Sequence, residues 1–200
     1  NFKNPEVIIP AVAEVGPVKY PHTKESPRVK ITADQERAFN TPGTFAKAHL
    51  DLGGNPNGHG FNQENVKNNT AYWYKDLENV RLISMDTVNP HGGWQGSIDE
   101  IQFSWIKSKL SEAKEKYCIL LSHHPSPTLI NGYAPSGKPR RILKDELIEE
   151  LYKHKNLIAW IAGHVHRHAS GIHTRSDGST FLELTTASHI DWPQQSRDRK

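Results

Sequence analysis

Twelve histidines punctuate this chain of 200 residues, and five of them fall in two short clusters. Imidazole is the commonest side-chain ligand for metal ions, so the clusters mark where chemistry is to be sought. Ser122-His123-His124-Pro125 follows the apolar run Tyr117–Leu121 directly. Pro125 biases His124 away from helical backbone, which puts the pair at a strand end facing a crevice. Two surface histidines in a loop would give the same four letters. Gly163-His164-Val165-His166, with His168 two residues on, follows a second apolar run, Leu157–Ala162. In extended chain, residues two apart point to one side, so His164 and His166 are expected to present nitrogens to one ion or to two neighbouring ions. Gly163 permits close backbone approach there. A polar strand end with solvated rings is the alternative. Asp86, His189 and Asp191 are weaker candidates, each as well suited to a turn or a cap.

The elements that must carry these motifs can be read from the patterning. Residues 1–60 are rich in Pro, Gly and Asn, and read as an irregular, insertion-like segment with one helix around Ala33–His49. Asp51–Gly60 reads as a loop. Residues 61–200 form the second region. Ala71–Tyr74 and Arg81–Asp86 read as paired strands. Ser97 and Glu100 have the spacing of a capping box that opens a helix running to about Glu115. The loop Pro125–Pro139 leads to an amphipathic helix near Ile142–His154, with Leu143, Leu147 and Leu151 four apart. Ala169–Arg175 and Thr180–Thr185 flank Ser176-Asp177-Gly178-Ser179, a hairpin signal. Helices alternating with buried strands indicate an α/β layered fold. One helix separates the two histidine-tipped strands, as a strand–helix–strand unit requires. Such a unit brings both carboxyl ends to one rim.

Composition narrows the classes. Twenty-five basic and 22 acidic residues leave a net charge of +3, and no long Lys/Arg run is present, so nothing points to nucleic acid. No stretch approaches the roughly 20 apolar residues of a membrane-spanning helix. The mean hydropathy, −0.70, suits a soluble protein. No leader peptide is visible, but the chain starts at Asn1 without Met, so export stays open. The single cysteine, Cys118, excludes an intrachain disulfide, and its apolar surroundings predict a buried, inert thiol.

The ordered pair SHHP and GHVH, each after an apolar strand, resembles the last two signature blocks of the calcineurin-like metallophosphoesterases. The stretch Asp86–Trp105, with Asp-Thr, a Gly-containing loop and Gln102 three before Trp105, is similar to that family as well. Thr186–Arg197 (TASHIDWPQQSR) and Gly58-His59-Gly60-Phe61 resemble an uncharacterised prokaryotic subfamily of the actinobacterial type. The resemblance spans about residues 30–197. It implies a four-layer αββα sandwich of which this chain is the C-terminal half. The family's earlier blocks, Asp-x-His, Gly-Asp-x-x-Asp and Gly-Asn-His, are missing from the sequence. By resemblance they supply the remaining metal ligands, and the missing N-terminal half of the same protein is where they are expected.

What the resemblance implies about residues is specific. His123 and His164 are expected to share one metal, and His166 to hold the other. His124 has no ligand role in the family and is a candidate support for the ligands. His91, His189 and Arg197 are candidates for the substrate pocket. Two divalent ions, Mn, Fe or Zn, are expected to activate water and polarise a phosphomonoester or phosphodiester. A small-molecule phosphate ester is the expected partner, with no strong signal for nucleic acid and no membrane. This segment by itself is expected to be inactive. Two other readings stay open: a non-catalytic module of the same fold, and a mononuclear zinc hydrolase built on the three histidines alone. Cutting a two-sheet sandwich is further expected to expose an apolar face bearing Ile119, Leu121, Ile158 and Trp160.

Overall fold

The computed structural model describes residues 40–190, together with the backbone of two three-residue strands, β1 (Glu6–Ile8) and β2 (Arg28–Lys30). These two strands pair antiparallel within a unit spanning Asn1–Asn40, and Thr41–Lys200 form a second unit. Arg197 and Asp191 lie outside the described residues, as does the first part of the helix expected at Ala33–His49.

Within the second unit the first helix is α1, Pro42–Leu52. Its start is written in the sequence: Thr41 caps the Thr44 N–H, Thr44 caps back, and Pro42 occupies the first turn, where a missing N–H costs nothing. The described helix starts at Pro42 and takes in Asp51 and Leu52, which read as loop. A short α2 (Gln63–Asn68), with Asn62 as its cap, packs against it.

The body of the unit is a six-stranded sheet. Its strands are β3 (Trp73–Asp76), β4 (Val80–Ser84), β6 (Tyr117–Leu121), β8 (Leu157–Ala162), β9 (Ala169–Thr174) and β10 (Thr180–Thr185). Two-residue strands β5 (Ile98–Asp99) and β7 (Arg141–Ile142) form a separate pair. The order across the large sheet is β3-β4-β6-β8-β10-β9. Strands β4, β6, β8 and β10 are parallel, and β3 and β9 close the edges antiparallel. Helices α3 (Glu100–Glu112) and α4 (Lys144–Leu151) make the two crossovers. This is the mixed α/β architecture that the alternation of elements implies.

One face of the sheet is sealed. Ile83, Cys118, Leu120, Leu157, Trp160 and Phe181 join Ile106 and Leu110 of α3 and Leu147 and Leu151 of α4 in a single core. Truncating a fully buried leucine such as Leu120 to alanine should cost about 2–5 kcal/mol. Burial also pushes the Cys118 thiol up to about 11, the inert thiol that the apolar run suggested.

The other face is more open. Leu82, Ile119, Ala159, Leu182 and Ile172 stand side by side across five strands, and Ser84, Leu121, Ile161 and Leu184 form the next row. Ile172 is 68% exposed and Leu182 39%. Trp160 does not belong here: it is fully buried on the helix side. A register shift between Cys118 and Ile119 adds Ile158 to β8 without a partner and reverses the alternation after it.

Two expected boundaries move for a common reason. The cap of α3 is Asp99, whose carboxylate accepts the Gln102 N–H, rather than Ser97. Pairing of β5 with β7 holds Ile98 and Asp99 extended, so the helix cannot start earlier. The same pairing takes Ile142 out of α4, which starts at Lys144. Ser97 is buried instead under Arg141, whose Nε donates to its Oγ and whose Nη2 donates to its carbonyl, both at 2.8 Å.

Candidate metal centre

Strands β6 and β8 are parallel neighbours, so their carboxyl ends reach the same rim of the sheet. The two histidine motifs meet there. The Gly163 N–H donates to the His123 carbonyl at 3.0 Å, tying the second turn to the first. His123 Nε2 and His164 Nδ1 lie 3.1 Å apart. Without a metal, this is the separation of an N–H···N hydrogen bond between the two rings. Ligand bonds of about 2.0–2.1 Å to one ion place adjacent nitrogens about 3 Å apart, which is the separation observed. The donor set therefore fits a divalent metal of the imidazole-binding kind.

His124 lies near the same point: its ring centroid is 4.3 Å from that of His164, and its ligand atom lies within 4.8 Å of theirs. Its hydrogen bonds give it another job. Nε2 lies 3.1 Å from the Trp94 carbonyl oxygen, which can only accept, so Nε2 carries the proton. Nδ1, 2.9 Å from Thr87 Oγ1, must then accept from that hydroxyl. Thr87 Oγ1 in turn accepts the His124 backbone N–H at 3.2 Å. Both ring nitrogens are thus committed, and the ring is 5% exposed. Burial, and then the neighbouring imidazoles His164 and His123, hold its pKa below the usual histidine range. His124 is a neutral strut behind the rim, while His123 and His164 are the rings whose nitrogens could reach a metal.

The second motif departs from the expected geometry. β8 ends at Ala162, and the chain then turns instead of running extended. The Val165 N–H donates to the Gly163 carbonyl at 2.7 Å, closing a three-residue turn on His164. His164 has φ 67° and His166 φ 50°, the left-handed region that side chains other than glycine rarely occupy. Backbone of this kind costs about 1–3 kcal/mol per residue and concentrates at functional sites. Alternation along a strand therefore cannot be what aims His164 and His166. The His164 pKa is lowered by burial and then by His123 and His166, which keeps its nitrogens available to a metal at neutral pH.

Three supports were not evident from spacing. Glu183 on β10 is buried, and its carboxylate accepts the Ser126 N–H at 2.6 Å and the Ser126 hydroxyl at 2.7 Å. His173 Nε2 lies 2.6 Å from the same carboxylate. This fixes the turn that follows His123 and His124. The only hint was one carboxylate inside an apolar strand. Gly96 is the second support: a Cβ there would sit 2.5 Å from the His124 ring. The third is Gln102, whose amide accepts the Asp86 N–H and donates to the Asp86 carbonyl, both at 2.8 Å. Asp86 itself takes a turn role, accepting the Val88 N–H at 3.1 Å, and burial raises its pKa. His91 and Trp94 line a cleft beside the rim. His189 is exposed beyond β10.

A sequence model of the calcineurin-like phosphoesterase family matches residues 21–168. A probable glycerophosphodiester phosphodiesterase GpdQ from Arcobacter nitrofigilis is 28% identical over 88 residues, 44% of this chain and 32% of that protein. A crystal structure of a dimetal phosphatase from Danio rerio superposes with a TM-score of 0.47 at 16% identity, over 65% of this chain and 53% of the other. The chain thus spans about a third and about half of the lengths of these two relatives.

Proposed function

Since this chain belongs to the calcineurin-like phosphoesterase family, we propose that it supplies the histidine side of a two-metal centre that hydrolyses phosphate esters. The observation that carries the reading is the approach of His123 Nε2 to His164 Nδ1 at 3.1 Å, at the tips of adjacent parallel strands. When bound, divalent ions would activate water and stabilise charge on the phosphoryl oxygens. The chain's own residues aim and insulate the ligands. His123 and His164 share one ion, and His166 holds the second. His124 braces both rings, through Thr87 on one side and the Trp94 carbonyl on the other.

Among the described residues no carboxylate joins the histidine cluster. Family members add carboxylate ligands from blocks that this sequence lacks. We therefore assign the remaining ligands to the N-terminal half of the same protein. The open row Leu82–Ile119–Ala159–Leu182–Ile172 is the surface against which that half would pack its own sheet. By itself the 200-residue chain should show no turnover.

The test is hydrolysis of 4-nitrophenyl phosphate and bis(4-nitrophenyl) phosphate by the complete protein, stripped with chelator and reloaded with manganese. Turnover should require metal, and His164→Ala should reduce it by at least about a hundredfold, as loss of a ligand exceeds loss of a supporting contact. Metal-independent turnover, or full activity in His164→Ala, would refute the assignment.

A further inference from the structure

Beside the histidine rim, the loops 88–96 and 130–133 wall a cleft of about 480 Å³. The walls are stapled to each other. The Asn131 amide donates to the carbonyls of Gly92 and Gln95, and the Asn131 N–H donates to the Gly96 carbonyl. The Asn89 amide donates to the Tyr133 carbonyl at 2.9 Å. Gly93 must be glycine, because a Cβ there would lie 2.7 Å from the Asn131 amide nitrogen and its φ is 88°. The Gly-containing loop His91-Gly92-Gly93-Trp94 is therefore a preformed wall.

What lines the cleft is aromatic and uncharged. Trp94, Tyr133 and His91 contribute rings, Ile130 contributes aliphatic surface, and no Lys, Arg, Asp or Glu takes part. Trp94 is 73% exposed, so much of its indole surface is open to a ligand. Its ring lies 5.8 Å from that of His164 at an interplanar angle of 23°, so the indole forms a ledge continuous with the ligand. Its backbone is held from behind, since the Trp94 carbonyl is the acceptor for His124.

We propose that this cleft is the subsite for the organic part of the substrate, and that it selects phosphate esters of planar, uncharged aromatic or heterocyclic alcohols. The proposal rests on the phosphate-ester reading above. A phosphoryl group at the His123–His164 pair would place its ester oxygen next to Trp94, and the attached ring would stack on the indole. Stacking of a planar group on an aromatic side chain commonly contributes about a tenfold gain in affinity or more. An aliphatic substituent would find only Ile130 as a matching partner, and an acidic or basic one would find no Lys, Arg, Asp or Glu on this wall.

The experiment is equilibrium binding of 1-naphthylmethylphosphonate and methylphosphonate to the complete, manganese-loaded protein, by calorimetry. Neither compound can be hydrolysed, and they differ only in the ring. The wild type should prefer the naphthyl compound by about tenfold or more. Trp94→Ala should bring that ratio to within about twofold of unity, and Trp94→Phe should keep most of it. A ratio near one in the wild type, or an unchanged ratio in Trp94→Ala, overturns the aromatic subsite while leaving the phosphate-ester reading intact. Metal-dependent binding of neither phosphonate sinks that reading, and the subsite with it.

Discussion

The two histidine turns sit on neighbouring strands, yet they are built in opposite ways. The turn after β6 is braced from three sides: Glu183 grips Ser126, Thr87 grips His124, and Gly96 leaves room for the His124 ring. The turn after β8 holds two residues in left-handed backbone, secured to the first turn through the Gly163 N–H. One turn is a rigid platform and the other is a strained arm laid across it. The contrast indicates where the fold invests in order and where it tolerates cost. A ligand pair needs one fixed partner, and the second can be held in place by the first and by the ion.

Substitutions can break this contrast from either side. The largest effect is expected from Glu183→Ala, which leaves the Ser126 N–H, the Ser126 hydroxyl and His173 without their buried acceptor, at about 1–3 kcal/mol for each donor left unsatisfied. Chemical denaturation measures this, and metal affinity should fall with it. Gly96→Ala should cost about 1–3 kcal/mol, because the added methyl must displace the His124 ring. A smaller loss, about 1–2 kcal/mol, is expected for Thr87→Val, which removes both bonds to His124 while keeping the shape. The arm should respond with the opposite sign. His164→Gly relieves left-handed strain and should raise stability by about 1 kcal/mol while abolishing metal binding. A His164→Gly protein that is less stable than wild type would show that the lost ring contacts with Trp94, His123 and His124 outweigh the relieved strain.

How legible was this arrangement? The strand ends were legible, because apolar runs followed by His-containing turns define β6 and β8 almost to the residue. The α/β alternation and both crossover helices followed from periodicity. The braces were not legible, because each joins residues far apart in sequence. Ser126 and Glu183 are 57 positions apart, and Thr87 and His124 are 37 apart. No local pattern marks such pairs. The open sheet face was half legible: Ile119 and Leu121 lie on it, but an unpaired residue in β8 sends Trp160 to the other side. Helix starts failed where two-residue strands β5 and β7, too short to show a period, overrode capping signals.

The pH response sharpens the same comparison with the smallest effect. His124 and His164 are both held below the ordinary histidine pKa, chiefly by burial. The unfolded chain then takes up protons first as pH falls. Stability from these groups is complete above about pH 6.5 and is lost as pH drops below it through their folded values. His124→Gln should flatten part of this slope between about pH 6.5 and 5 in urea midpoints recorded against pH. An identical slope would mean that the buried strut contributes nothing to the acid sensitivity.

Where a metal binds tests the division between strut and ligand most directly. Anomalous diffraction from crystals of the complete protein grown with manganese or zinc would locate it. An ion should appear at about 2.0–2.3 Å from His123 Nε2 and His164 Nδ1, with a second ion at His166 and neither bonded to His124. An ion coordinated by His124, or full loading with His123 and His164 left unbound, would contradict the division between platform and ligand.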